Sequence, residues 1–262
     1  MAKEKRFFGI YKVLLGDVQA DGTMPDEADM VEVGELVYDS IAFDYEENSI
    51  VDIKNQETGK VDLSVVEEEG SKKFTFSTRN MKFENMILAF GGEVVDGVWN
   101  APLNTYNGVE KALKVVLKAP TGLHAVTDFP RVNVIATFQG AVVENATTDI
   151  VFSCTALTPS NESTGEDQSM WQVYYKPAAP TNGVVDNTAD TFAFDYVIGF
   201  TSASDYEYSI DGGSGYTDCT ANPITGLTGA IAVGDLLVRV KANTSNQHVA
   251  GYTLANKEAF TA

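Results

Sequence analysis

The sequence predicts a mainly β chain, a β-sandwich or barrel carrying one packed α-helix and followed by a second, smaller β-sandwich. Three observations lead there. Short runs of alternating apolar and polar residues recur along the chain, and Gly, Asn, Asp and Pro punctuate the gaps between them. One segment, Lys72 to Gly92 (KKFTFSTRNMKFENMILAFGG), switches from the two-residue period of a strand to the 3.6-residue period of a helix.

Taken in order, the first strand-like runs are Arg6 to Leu15, Glu35 to Tyr45, Val61 to Glu68 and Lys72 to Thr78. In the last of these, Phe74 and Phe76 alternate with Lys73, Thr75 and Ser77, as in a strand with one buried face. A helix is expected over about residues 80–90, because Phe83, Met86, Ile87 and Phe90 are spaced i, i+3, i+4, i+7 and so line one side. Asn80 is placed to cap its start, and Gly91-Gly92 to end it in a left-handed conformation. Further runs follow at Lys111 to Lys118, Arg131 to Phe138, Thr148 to Leu157 and Met170 to Tyr175.

Two polar stretches interrupt this scheme, Gly16 to Met30 and Glu46 to Lys60. Long loops in compact domains commonly bind something. The second stretch carries Ile50, Val51 and Ile53 between Asn48 and Lys54, apolar residues that a solvated loop does not need. It reads as an arm (Asn48, Ile50, Val51, Ile53, Lys54) lying on a neighbouring subunit, or alternatively as a loop packed on its own domain.

Pro177-Ala178-Ala179-Pro180-Thr181 reads as an extended linker, dividing a domain at 1–176 from one at 182–262. A new strand series begins after it: Thr191 to Val197, Asp205 to Ile210, a Gly-rich hairpin at Asp211 to Gly215, Leu236 to Ala242 and Glu258 to Thr261. That series has the size of an immunoglobulin-like or fibronectin-type sandwich.

Composition bounds the function. With 262 residues, 44% hydrophobic and 21% charged, the chain has enough apolar residues to fold, and no run approaches the length of a membrane span. Near the N-terminus Phe7, Gly9, Tyr11 and Val13 alternate like a strand, which argues against a secretory leader. Cys154 and Cys219 form no disulfide framework and fit a reducing, cytosolic setting. The net charge of −19 excludes an adhesive grip on nucleic acid, which needs clustered Lys and Arg to displace counterions.

No catalytic constellation stands out. His124 and His248 lie far apart in turn-like contexts, and Cys154 sits inside an alternating strand as a small buried hydrophobe. Asp17, Asp21, Asp26 and Asp29 suggest a calcium loop only loosely, since their spacing is not that of an EF-hand. Asp211-Gly212-Gly213-Ser214-Gly215 joins two strands and opens no helix, so it is not a phosphate cradle. Asn145-Ala146-Thr147 and Asn161-Glu162-Ser163 match the glycosylation pattern, which matters only for a secreted chain. No cofactor, metal site or enzymatic activity is expected.

Several segments together resemble the major tail tube proteins of tailed bacteriophages, of the kind with a C-terminal immunoglobulin-like domain. They are GDVQADGTMP leading to VEVGEL, the polar loop before GKVDLSVVEEE, the unit FTFSTRNMKFENMILAFGG, and the pair RVNVIATFQG and TDIVFSCTALTPSN. Downstream, VDNTADTFAFDYVIGF and GDLLVRVKANTSNQHVAGYTLANKEAF are similar to modules appended to virion proteins. The resemblance implies a virion subunit, assembled in the bacterial cytoplasm, that stacks as hexameric rings and joins other tail proteins at the tube ends. Double-stranded DNA would pass through the lumen without adhering. Six copies at −19 each give a ring about −114, a wall that repels a polyanion. Asp62, Ser64 and Glu68, on one face of a strand whose other face shows Val61, Leu63 and Val65, are the candidate lumen residues. Tyr206, Tyr208, Tyr216 and Tyr252 are the candidate outer surface, for weak host contacts. The competing readings are a secreted or surface-displayed β-sandwich adhesin or carbohydrate-binding protein, and another virion part such as a head decoration or collar protein.

Overall fold

The computed structural model describes residues 9–37, 39–54, 58, 61–68, 70–102, 108–118, 122–140 and 148–261, with the side chains of 54, 62 and 65–68 outside that description. The start of the run Arg6 to Leu15 and the pattern Asn145-Ala146-Thr147 lie outside the described residues. Strand β1 (Ile10–Gly16) is followed by a 3-10 turn at Glu27–Asp29, β2 (Val31–Glu32), β3 (Ala42–Tyr45), and the hairpin of β4 (Ser49–Lys54) and β5 (Val61–Glu68). Strand β6 (Lys72–Thr78) leads into α1 (Phe83–Phe90) and a second hairpin, β7 (Glu93–Val95) and β8 (Val98–Asn100). Next come β9 (Val109–Leu117), β10 (Leu123–Gln139), β11 (Asp149–Ala156) and β12 (Gln172–Pro177). The remaining strands are β13 (Thr181–Asp186), β14 (Thr191–Asp195), β15 (Tyr206–Ser209), β16 (Thr217–Asp218), β17 (Leu237–Val240) and β18 (Leu254–Ala255). The protein is mainly β, with one α-helix among the described residues.

An eight-stranded sheet runs in the order β2-β1-β9-β10-β11-β6-β3, with β12 pairing β10. The chain gathers into two compact units: Lys12–Val115 with Asp128–Gln172, and Met1–Tyr11 with Val116–Thr127 and Val173–Ala262. In the first unit β11 alternates strictly, with Ile150, Phe152 and Cys154 inward. Phe152 lies opposite Phe76 with the rings stacked at 4.6 Å, and Phe74 continues the row at 5.5 Å. Val13, Leu14, Leu113 and Val115 are buried whichever way they point, as in strands covered on both faces. β10 contains Pro130, yet its ladder with β11 begins only at Val132, so the missing N–H removes no bond from that ladder.

The second unit packs β13-β14 and the sheet β16-β15-β17-β18 over a shared core that includes Phe192, Phe194, Tyr206, Val238, Val240 and Phe260. This is the small sandwich that the spacing predicts. Its Gly-rich turn joins β15 to β16: Asp211 Oδ1 accepts from Ser209 Oγ and from Gly215 N–H (3.1 Å).

Three expectations need correction. The run Glu35 to Tyr45 is extended only from Ala42, because Glu35 and Asp39 take left-handed φ of 53° and 59°, which breaks a ladder. Glu258 to Thr261 forms no strand, only a bridge between Phe260 and Ile231. His124 lies buried within β10 and not in a turn, with Tyr11 stacked on its ring at 4.9 Å.

The helix is shorter than expected and turned over. It begins after Lys82, which is its N-cap; Asn80 acts one step earlier, its Oδ1 accepting from Lys82 N–H at 3.3 Å. Gly91 ends it at φ 73°, its N–H bonded to Ile87 O at 2.8 Å. The buried side is Asn85, Leu88 and Ala89, whereas the stripe Phe83, Met86, Ile87 and Phe90 stays partly open. Asn85 is tolerated inside because its Nδ2 donates to Asn80 O at 2.9 Å.

Candidate functional site

The arm is a continuation of two sheet strands. β3 runs on into β4 and β5 runs on into β6, so the β4–β5 hairpin extends the β3–β6 pair beyond the eight-stranded sheet, and its strands pair only with each other. Between the two paired stretches the ribbon narrows to a neck. There Glu46 N–H donates to Ser71 O (2.9 Å), Ser71 Oγ donates to Glu46 Oε2 (2.6 Å), and Gly70 N–H donates to Asn48 Oδ1 (3.0 Å). Gly70 is required, since a Cβ here would lie 1.9 Å from Glu46 O. The Ser71 hydroxyl, then its N–H, holds the Glu46 carboxyl below the usual glutamate range. Asn48 is therefore a neck residue and not part of the arm's apolar face.

Register sorts the arm's side chains. Val51 and Ile53 lie opposite Val65 and Leu63, and Asp52 lies opposite Ser64, whose hydroxyl donates to Asp52 Oδ1 at 2.6 Å. Val51, Ile53 and Leu63 thus share one face, while a register shift after Ile53 sets Val61 opposite Lys54; these four apolar residues are 44–56% exposed, and Ile50, at 61%, is more exposed still. Five large aliphatic side chains open to solvent on one two-stranded hairpin is more than an isolated monomer needs.

The candidate lumen residues fall on this same hairpin. Asp62, Ser64 and Glu68 belong to β5, which pairs with β4 and not with the eight-stranded sheet, so the expected separation between arm and lumen strand does not hold. Ser64 is exposed; the side chains of Asp62, Glu68 and Lys54 lie outside the described residues. Val61 and Leu63, expected together on the other face of β5, are both exposed, and the register shift after Ile53 separates them. The half-open face of the large sheet is more polar, with Asn133, Thr155 and Lys73 in one cross-strand row and Ser153 and Thr75 beside the exposed Ile135 in the next.

The four tyrosines do not form an outer surface. Tyr206 is wholly buried; its hydroxyl donates to Phe200 O (2.9 Å) and accepts from Val197 N–H (2.6 Å), and burial pushes its pKa up to about 12. Tyr208 packs against the same core, Tyr216 is covered by the Arg239 guanidinium at 3.5 Å, and Tyr252 by Lys176 at 3.9 Å. An alternating strand brings every second residue inward, so tyrosines expected at the surface are partly core.

Elsewhere the chemistry is structural. Among the described residues no group of three or more His, Cys, Asp or Glu gathers as metal ligands. In the early Asp cluster, Asp21 Oδ1 accepts from Thr23 N–H and Oγ, and Asp17 pairs with Lys111 at 2.6 Å. His248 is buried with Nδ1 3.0 Å from Val249 O. Both cysteines are buried and free; burial raises the Cys154 pKa, and burial with Asp218 and Glu207 nearby pushes Cys219 up to about 12. An ion pair that sequence reasoning missed joins Lys114 Nζ on β9 to Asp128 Oδ1 (2.9 Å) and Oδ2 (3.2 Å) on β10, both side chains buried. Its signal was Lys114 at the centre of the apolar run ALKVVL. No helix among the described residues is long and apolar enough to cross a membrane. Neither a protein-family model nor a curated protein sequence matches this chain.

Proposed function

We propose that this protein is a self-assembling structural subunit, the major tail tube protein of a bacteriophage, stacking as rings around a DNA-conducting lumen in the virion tail. The observation that carries the proposal is the β4–β5 arm, an apolar, solvent-exposed ribbon anchored at a pinned neck, which makes sense only when a neighbour covers it. Two further features support it. The outer edge of β3 is unpaired in the sheet order and exposes Phe43 and Tyr45, a template for extending the sheet between copies. A net charge of −19 suits a wall along which DNA slides without condensing. The protein's work is then geometry and not turnover.

The test is negative-stain electron microscopy of the full chain at high concentration, beside the variant Ile50→Asp/Ile53→Asp/Leu63→Asp. Rings or tubes from the natural chain and none from the variant are expected. Monomers from the natural chain at every concentration and salt would overturn the proposal and leave the adhesin reading.

A further inference from the structure

We infer that the uncovered face of α1, continued by Phe138 and Val94, is the seat for the arm of a second copy of this chain; the inference rests on the assembly reading above and names the surface that the arm meets.

Six of the eight residues of α1 are apolar (FENMILAF). At 100° per residue, Phe83, Met86, Ile87 and Phe90 fall on the side opposite Asn85, Leu88 and Ala89, which the chain buries. A helix apolar on both sides belongs between two layers, and a single copy provides one. The open side does not end with the helix. The Phe90 ring stacks on Phe138 at 4.8 Å and lies 6.1 Å from Trp99, whose cross-strand partner on the same hairpin face is Val94. Met81, Phe83, Val94 and Phe138 are 40–50% exposed, so the stripe runs from the start of α1 to the β7–β8 hairpin as one apolar strip.

The occupant follows from area and from shape. Three half-exposed large side chains on the arm face and four on the stripe leave roughly 200–400 Å² of apolar area apiece. That approaches the apolar share of a standard interface of about 800 Å² per partner, once polar rims are added. The arm's Val51, Ile53 and Leu63 lie on one ribbon face; the stripe from Phe83 to Phe90 is about 10 Å long. A ribbon laid on a helix is the ordinary sheet-on-helix layer. Both surfaces are exposed in the same chain, so they do not cover each other there. Passed on in one direction, arm-to-stripe contact is heterologous and generates rings or open stacks, where a reciprocal exchange of arms or stripe-to-stripe contact would stop at a dimer.

Mixing single-cysteine variants Leu63→Cys and Phe83→Cys under mild oxidation tests this, with assembly followed by microscopy on the same samples. Cys154 and Cys219 are buried, so background cross-linking is low. The expected result is a covalent dimer in the mixture and in neither variant alone. A second pair, Leu63→Glu and Phe83→Lys, reads the contact without cysteine. Each alone should raise the concentration needed for assembly at least ~10-fold, and mixing should restore it, since every arm then meets a compatible stripe. Rings or tubes from which the mixed cross-link is absent, or Phe83→Cys cross-linking to itself, would overturn the arm-to-stripe contact while leaving the assembly reading intact. No assembly by the natural chain would overturn both.

Discussion

Removing one member of the Lys114–Asp128 pair should destabilise the protein far more than removing both. Lys114 sits in a run of β9 that is buried on both sides, with Nζ within 3.2 Å of both Asp128 oxygens. Asp128→Asn leaves an ammonium in a site where water does not replace the lost charge. Breaking a buried pair in this way costs about 3–5 kcal/mol, whereas exchanging both residues for apolar ones of similar volume is close to neutral or stabilising. The expected order of stability is therefore natural chain and Lys114→Met/Asp128→Leu together, with Asp128→Asn and Lys114→Met well below. Urea unfolding followed by tryptophan fluorescence reads the right part of the molecule, because both tryptophans, Trp99 and Trp171, belong to the same unit as the pair. With a urea slope of about 2 kcal/mol per molar, each single variant should lower the midpoint by roughly 1.5–2.5 M. A loss below about 1 kcal/mol for the single variants, or a double variant as weak as the singles, would refute the claim that the charge left buried without its partner is what destabilises the protein.

Three other outcomes follow from the arm's neck and from the second unit. Gly70→Ala places a Cβ against Glu46 O, a backbone atom that cannot swing aside, and should destabilise the neck by about 1–3 kcal/mol, read as lost hydrogen-exchange protection at the Glu46 amide. The Glu46 carboxyl, held low by Ser71, contributes stability that is present above its unfolded-state pKa and lost as pH falls through its folded-state value. An NMR titration should place its midpoint below the usual glutamate range, with lower protection factors across the neck, relative to intrinsic exchange at the same pH, on acidification; a midpoint at or above that range would refute this. Tyr206→Phe deprives Val197 N–H and Phe200 O of their shared partner and should lower the stability of the second unit by about 1–3 kcal/mol, measured by melting of its near-ultraviolet tyrosine signal.

The parts of this fold legible in the sequence are those where one face is wet. β11 alternates cleanly and β6 does so from Lys73 to Phe76, and their bounds follow from the pattern within a residue or two. The DGGSG turn carries its own side-chain hydrogen bonds and is equally legible. β1 and β9 are buried on both faces in their second halves, so periodicity weakens there and Lys114 hides as a surface residue. β2, β16 and β18 are two residues long, too short to carry any period. The tyrosines misled for a related reason: Tyr206 and Tyr208 are i, i+2 neighbours and so point the same way, toward the core that the strand YEYS covers.

The turned-over helix is the most informative disagreement, because the sequence pattern and the structure are each internally sound. The spacing of Phe83, Met86, Ile87 and Phe90 is that of a buried stripe, yet the monomer spends its core contacts on Leu88 and Ala89, with a satisfied Asn85 between them. A chain selected only to fold alone gains nothing from a second apolar face on so short a helix, nor from isoleucines on a hairpin that pairs with no other strand among the described residues. Both excesses lie in one unit, both are apolar, and they are of similar area. On the proposed assembly, surplus apolar patterning of this kind, unused within the chain, is what contacts between chains would use, and the arm and the stripe are the two surfaces that carry it.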